Sequence, residues 1–177
     1  MIIVIIVFIL CLIIFIYSIC NNKLSFLNVK INTVEEKINS TLIKRKELIK
    51  ESEKIIKETL NTDKEIYQDL GELSNSKIDM MELDKKLLVY INEFYLIKDK
   101  YKKLKKSEEF NKVFISISET EDNLNAYKEY YNDTIQKYNK LIKTFPISIV
   151  SLFKRRKEKL FFDQKSMNDS DYSEFKY

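Results

Sequence analysis

Apolar side chains recur along most of this chain at the three- and four-residue spacing of a helix. In the most regular stretch, residues 117–146, one set of positions recurs every seven residues. A second set recurs at the same interval, and each of its members lies four residues after a member of the first set. A seven-residue repeat of this kind predicts a helix that packs lengthwise against other helices. The first set contains Ile117, Leu124, Tyr131, Tyr138 and Phe145, and the second contains Glu121, Lys128, Ile135, Ile142 and Ile149.

Two further segments have the same periodicity. In the first, apolar residues from Leu24 to Ile56 predict a helix that ends near Leu60, and Arg45 falls on its inward side. Long helices are therefore expected over residues 22–60, 78–105 and 107–144 of the sequence. The second segment is the middle helix, and its predicted inward positions are Met80, Leu83, Leu87, Tyr90, Phe94, Ile97, Tyr101 and Leu104.

The residues between these segments predict where the helices begin and end. Asn61 is expected to stop the first helix, and Thr62 with Glu65 forms a capping box that predicts a short helix ending near residue 73. Ser107 is placed to cap the third long helix. That helix should end just before Pro146, because the residue preceding a proline is kept out of helical geometry.

Residues 1–20 form an almost unbroken apolar run, which is long enough to cross a lipid bilayer. The run has no basic residue before it and no small-residue cleavage site, so it indicates a retained anchor and not a cleaved signal peptide. Lys23, Lys30 and Lys37 follow the run. Because basic residues flank the cytoplasmic side of membrane helices, we expect a single-pass protein of the cell membrane whose soluble part is cytoplasmic.

Composition supports an all-α fold. One Gly, one Pro and no Trp among 177 residues leave too few turn residues for a β-sandwich or an α/β domain. The predicted architecture is a single N-terminal transmembrane helix followed by an antiparallel bundle of long helices. The expected boundaries are an anchor at 1–20, a helical bundle at 21–150, and a basic segment with a polar tail at 151–177.

The chain lacks most of the side chains used in catalysis and metal binding. It has no His, and both cysteines lie within the first 20 residues, so the soluble part cannot contain a zinc site, a cysteine nucleophile or an imidazole base. A carboxylate metal site would need several inward acidic residues, and only Glu121 is predicted to face inward. We therefore predict no catalytic residues, no metal, no cofactor and no enzymatic activity.

Tyr131-Asn132, Tyr138-Asn139 and Phe145-Pro146 form a series of dipeptides seven residues apart. With motifs in the earlier helices, this series resembles the LemA family of bacterial membrane-anchored helical proteins, and it is the most specific part of the resemblance. The resemblance implies a helical bundle on a single anchor and no particular activity. The matching residues are Asn22, Leu24, Leu42, Arg45, Glu47, Leu48, Ile49, Phe110, Val113, Ile117, Thr120, Glu121, Lys128, Tyr131, Asn132, Tyr138, Asn139, Phe145 and Pro146.

Two groups of polar residues on the long helices are candidate sites. Arg45, Glu121 and Lys128 are interpreted as an ion-pair network that fixes the register of the helices, with Arg45 paired directly to Glu121. The alternative is a charge cluster that binds a ligand. The second group lies in a stripe beside the seven-residue repeat. It is interpreted as forming hydrogen bonds between helices, or alternatively as receiving a peptide, and contains Asn125, Asn132 and Asn139.

A basic cluster lies near the C-terminus and has a net charge of +4 between residues 154 and 159. It is either a solvated charge run or a contact with anionic lipid. Nucleic acid is not an expected partner, because no aromatic residues are interleaved with the charges. The cluster contains Lys154, Arg155, Arg156, Lys157 and Lys159.

Three functions remain open at this point. The favoured one is a membrane-tethered scaffold or interaction module that binds a protein partner. The first alternative is a small-ligand or peptide receptor, or an enzyme, that uses Arg45, Glu121 and Lys128. The second is a coiled-coil homo-oligomer, because a seven-residue repeat does not indicate whether the partner helix belongs to the same chain.

Overall fold

The computed structural model describes residues 1–64, 66–67, 70 and 79–162, and most of this part of the chain is helical. No strand occurs within these ranges, so the predicted all-α fold is confirmed. The helices are α1 (Ile2–Leu60), α2 (Met80–Lys100), α3 (Glu108–Lys143) and α4 (Ile147–Phe153), with a short 3₁₀ turn at Leu104–Lys106.

Helix α1 continues without interruption from the apolar run into the soluble part of the chain. Among the described residues it is the one helix that is long and apolar enough to cross a membrane. Side chains before Cys20 are exposed. From Leu24 onward the predicted inward positions are buried, and Arg45 is buried among them as expected.

The end of α1 follows the sequence prediction. Asn61 adopts a left-handed conformation with φ of 54°, and the N–H of Thr62 donates to the carbonyl of Lys57 at 3.1 Å. This arrangement satisfies a carbonyl of the last turn, and Asn tolerates the conformation better than most residues. The described residues of the predicted short helix, Thr62–Lys64, Ile66, Tyr67 and Leu70, are not helical, and Glu65 with the other half of that segment lies outside the described residues.

The chain divides into two compact units. The anchor unit contains Met1–Glu35 together with the described residues from Glu129 onward, and the central unit is built from Glu36–Lys128. Helices α1 and α3 each contribute one part to each unit. The units are described separately below.

In the central unit, α2 runs antiparallel to α3. Asp84 near the start of α2 pairs with Lys128 late in α3, whereas Phe94 near the end of α2 stacks on Phe110 at the start of α3 with ring centroids 5.1 Å apart. Ser107 caps α3 as predicted, its Oγ accepting a hydrogen bond from the N–H of Phe110 at 3.3 Å.

Helices α1 and α2 of the central unit run in the same direction. Arg45 contacts Asp84, and Tyr67 joins the later parts of both helices by a 3.0 Å hydrogen bond to Ser52 and an edge contact with Tyr90. Of three mutually packed helices, at least one pair must share its direction. Here α1 and α2 are that pair, and α3 is antiparallel to both.

Several inward positions differ from the prediction. On α2, Met81 and Asp84 are buried, whereas Tyr101 is exposed. Phe145 and Ile149 were predicted to continue the inward lines of α3, but both are exposed. The reason is that α3 ends at Lys143, so its helical register does not carry through to these two residues.

The anchor unit pairs α1 with α3 in antiparallel fashion and adds α4. Helix α4 was not predicted, and it begins directly after Pro146. It ends where Arg155 takes a left-handed conformation with φ of 49° and the N–H of Arg156 donates to the carbonyl of Ser151 at 2.9 Å. Residues 156–161 then continue without regular structure. Residues 163–177, the rest of the predicted polar tail, lie outside the described part of the chain.

Candidate functional site

A buried charge cluster links the three helices of the central unit. Arg45 on α1 is 1 % exposed, and its Nη1 donates to Oδ1 of Asp84 at 3.5 Å. Asp84 on α2 is 4 % exposed and also binds the Nζ of Lys128 on α3 through Oδ2. One carboxylate therefore pairs with two cations that come from two other helices.

The expected direct pairing of Arg45 with Glu121 was wrong. Arg45 pairs with Asp84, and Glu121 accepts a hydrogen bond from the hydroxyl of Tyr95 at 3.1 Å. Glu121 still lies close enough to act on the cluster through its charge. Burial lowers the pKa of Arg45, and the charges of Asp84 and Glu121 oppose this effect. The Nε of Arg45 has no hydrogen-bond partner in the described structure.

The hydroxyl of Tyr95 joins the cluster by donating a hydrogen bond to the carboxylate of Glu121. Burial raises the pKa of Tyr95, and the adjacent negative charge of Glu121 raises it further. Tyr95 therefore stays protonated at neutral pH and can donate to the carboxylate. Arg45, Lys128, Asp84 and Glu121 together carry no net charge, as expected for charges held at a helix interface.

Sequence reasoning missed Asp84. The first two predicted inward positions of α2, Met80 and Leu83, lie one residue before the buried Met81 and Asp84. The next three predicted positions are buried as expected; they are Leu87, Tyr90 and Phe94. A signal was nevertheless present. Asp84 lies three residues after Met81 and three before Leu87, which is the spacing of one helical face.

The paired residues of the cluster are nearly closed to solvent. Within the described ranges, no group of three or more His, Cys, Asp or Glu side chains is placed to hold a metal ion. The side chain of Asp84 is 6 % exposed and that of Lys128 is 21 % exposed, so the lysine is the member of the paired trio that reaches water. The arrangement can fix the register and rotation of three helices, which is a documented role of buried charges.

Two asparagines of the anchor unit hold the chain's own C-terminal segment. The Nδ2 of Asn139 donates to the carbonyl of Lys159 at 2.8 Å, and its Oδ1 accepts from the N–H of the same residue at 2.8 Å. Seven residues earlier on α3, the Oδ1 of Asn132 accepts from the N–H of Phe162 at 2.7 Å. Both side chains therefore bind main-chain groups, as a neighbouring strand would.

A buried aromatic side chain fixes the end of this segment. Phe162 is 3 % exposed and contacts the edge of Tyr131, with ring centroids 6.2 Å apart. The hydroxyl of Tyr131 donates to Glu35 on α1 at 3.0 Å and lies 3.5 Å from the carbonyl of Leu160. We call residues 157–162 the docked segment. It lies against side chains of α3.

The three asparagines therefore differ in role. Asn132 and Asn139 receive an extended piece of the chain, which matches the peptide-receiving interpretation more closely than hydrogen bonding between helices. Asn125 is exposed on α3 in the central unit and does not bind the docked segment. Sequence periodicity found the stripe, but it gave no information about which segment would occupy it.

The basic cluster begins beside the end of the apolar run. The Nζ of Lys154 donates to Oδ1 of Asn21 at 2.8 Å, and the Nη2 of Arg156 donates to the same oxygen at 3.2 Å. The Nζ of Lys154 also lies 5.9 Å from the ring centroid of Tyr17. Arg155 and Lys157 are exposed, and Lys159 lies in the docked segment with its Nζ 5.8 Å from the ring centroid of Tyr138.

The model of the LemA family matches residues 34–173, which includes the charge cluster, both bound asparagines and the docked segment. A search of curated proteins found no match to the sequence.

Proposed function

The chain belongs to the LemA family, and we propose that it is a membrane-tethered helical scaffold that binds a protein partner and catalyses no reaction itself. In this proposal residues 1–20 anchor the chain in the cell membrane as a single span. The soluble part lies in the cytoplasm, on the side where Lys23, Lys30 and Lys37 follow the span.

The observation that carries the proposal is the docked segment. Asn139 satisfies both main-chain groups of Lys159, and Asn132 satisfies the N–H of Phe162. The surface of α3 can therefore hold an extended peptide through its backbone, with one buried aromatic residue as the anchor. Main-chain hydrogen bonds supply affinity, and a side-chain pocket supplies specificity, in many peptide-binding proteins.

The charge cluster supports a structural role over a receptor role. Arg45 and Asp84 are almost completely buried, so a solute would have to separate the helices to reach them. The charges already neutralise one another within the protein. Lys128 reaches water but is paired with Asp84, whereas a receptor for a small ion would be expected to leave an unpaired charge open to water in a cavity.

Partner binding can be tested by site-specific photocrosslinking in native membranes. Val89 and Leu96 of α2 are exposed apolar residues seven positions apart, so they lie on one outward line. A benzophenone amino acid at Leu96 is expected to give an adduct with a different protein, identified by mass spectrometry. The matched control carries the same group at Lys112, an exposed polar position of α3.

Each function gives a different crosslinking result. Adducts with another protein that form from Leu96 and not from Lys112 support the scaffold. Adducts of twice the mass of the chain would support the homo-oligomer instead. The scaffold proposal is wrong if membranes from growing cells give no adduct with another protein at any of three positions, namely Leu96, Lys112 and a third position such as Ile115.

A further inference from the structure

Helix α4 presents apolar side chains on both of its faces. Ile147 and Val150 are buried against the anchor unit, whereas Ile149, Leu152 and Phe153 point outward. Leu152 is 79 % exposed and Phe153 is 81 % exposed. Phe145, just before the helix, is 77 % exposed and extends the same apolar surface. Adjacent exposed side chains of this size indicate a surface that is covered by something else.

The position of α4 indicates what covers this surface. Asn21 is the first residue after the apolar run, and it binds both Lys154 and Arg156 directly after the end of α4. The Nζ of Lys154 also lies near the ring of Tyr17, a residue type that collects at the boundary between hydrocarbon and headgroups. The C-terminal end of α4 therefore lies at the level where α1 leaves the membrane.

The charge that follows α4 fits an anionic lipid surface. Arg155 and Lys157 are exposed and form no ion pair within the described part of the chain, whereas the nearby Glu158 is already paired with Lys143 at 2.7 Å. Outward Leu and Phe next to exposed Arg and Lys is the composition of helices that lie in the membrane interface.

We propose that residues 145–157 form a second membrane contact on the leaflet that α1 leaves. Phe145, Ile149, Leu152 and Phe153 enter the boundary between acyl chains and headgroups. Arg155 and Lys157 bind the phosphates of anionic lipids. Seven helical residues would bind a membrane weakly by themselves, but here the anchor holds them at the surface, so their insertion is an intramolecular step. The inference rests on the anchor assigned under the proposed function.

The absence of tryptophan from the sequence permits a direct test with single-tryptophan variants. The full chain is reconstituted in vesicles containing brominated phosphatidylcholine, which quenches tryptophan in contact with acyl chains. Phe153→Trp reports on α4, and Phe15→Trp reports on the anchor. Tyr130→Trp is the water-exposed control. Its neighbour Tyr131 contacts Glu35, which lies about 21 Å beyond Asn21 along α1.

We expect the lipid to quench Phe153→Trp and Phe15→Trp and to leave Tyr130→Trp unchanged. If Phe15→Trp is quenched and Phe153→Trp is not, the second contact is refuted and the anchor stands. If neither is quenched, the anchor fails and the inference fails with it. Quenching of all three to the same extent would also refute the inference, because it would not distinguish α4 from the rest of the anchor unit.

The preference for anionic lipid is tested with two vesicle preparations. The brominated lipid is phosphatidylglycerol in one and phosphatidylcholine in the other, at the same mole fraction. In the Phe153→Trp chain, anionic lipid should be enriched about fivefold for each of the two basic side chains near the surface. The double change Arg155→Gln with Lys157→Gln should remove this preference. The control, Lys102→Gln with Lys103→Gln, makes the same change in net charge at two exposed lysines of the central unit.

The control variant should retain the preference for the anionic lipid. Equal quenching by the two brominated lipids in the Phe153→Trp chain would refute the assignment of Arg155 and Lys157 to headgroup phosphates. Loss of the preference in both double variants would refute it as well, since the effect would then come from net charge and not from these two residues.

Discussion

Replacing Asp84 with alanine removes the carboxylate that Arg45 and Lys128 share. At 3.5 Å and an effective dielectric constant of about 20, the attraction between Arg45 and Asp84 is about 5 kcal/mol. Burying each ion costs several kcal/mol, so the net contribution of the intact pair is small. The variant keeps the cost of burying Arg45 and loses the attraction that offsets it.

Breaking a buried pair in this way typically destabilises a protein by about 3–5 kcal/mol. Glu121 remains nearby and continues to attract Arg45, so we expect a loss of about 3 kcal/mol, near the lower limit. Hydrogen exchange of α2, measured by mass spectrometry on the full chain in lipid nanodiscs, should report it. A loss of about 3 kcal/mol corresponds to exchange through unfolding that is about 150 times faster.

Two further variants separate a buried pair from a surface pair. Glu82→Ala removes a carboxylate on the same helix that pairs with Lys86 at 2.9 Å, but the two side chains are 57 % and 47 % exposed. Its cost should be less than about 1 kcal/mol. The double variant Arg45→Met with Asp84→Leu should recover most of the stability, because the buried cation is removed together with its partner and the remaining cation, Lys128, reaches water. The reasoning is refuted if Asp84→Ala matches Glu82→Ala, or if the double variant is no more stable than Asp84→Ala.

Three other predictions concern different parts of the chain. Burial raises the pKa of Tyr67 above its ordinary value of 10.0, so the contribution of Tyr67 to the free energy of unfolding should be fully present below about pH 10 and decline at higher pH. In urea unfolding curves recorded from pH 9 to 11, Tyr67→Phe should make this decline smaller. Asn139→Ala removes two hydrogen bonds of about 1 kcal/mol each from the docked segment, so trypsin should cleave this variant after Lys159 roughly 30 times faster than the wild-type chain. Trypsin should cleave the control variant Asn125→Ala at the wild-type rate. Protease added to intact cells should leave residues 22–177 uncleaved and digest them after lysis; digestion in intact cells would refute the cytoplasmic assignment.

The long helices could be predicted from the sequence because burial of one face imposes a spacing that is visible in the residues. Leu24 to Ile56 and Ile117 to Ile142 show that spacing, and Arg45 could be recognised as inward because apolar residues flank it on its own face. The period also placed the two bound asparagines on one side of α3. These features all depend on a single helix.

Features that depend on two or more segments could not be predicted in the same way. The partner of Arg45 depends on the rotation of α2 about its own axis, and an acidic residue at a buried position was interpreted as outward. Helix α4 is too short to establish a period, and the repeat of Phe145 and Ile149 suggested that the preceding line continued. The sequence contains no pattern that identifies the segment bound by Asn132 and Asn139, because these side chains bind main-chain groups, which are the same for every residue except proline.

The docked segment has a consequence for how freely its sequence can change. Asn132 and Asn139 form hydrogen bonds with main-chain atoms of the segment, and among residues 157–162 only the side chain of Phe162 is buried. Substitutions at residues 158–161 should therefore accumulate with little effect on docking, as long as the residue at 162 stays aromatic and no proline removes an N–H that is bound. The same freedom makes residues 158–161 a suitable place to write a short epitope tag into the chain without detaching the segment from α3.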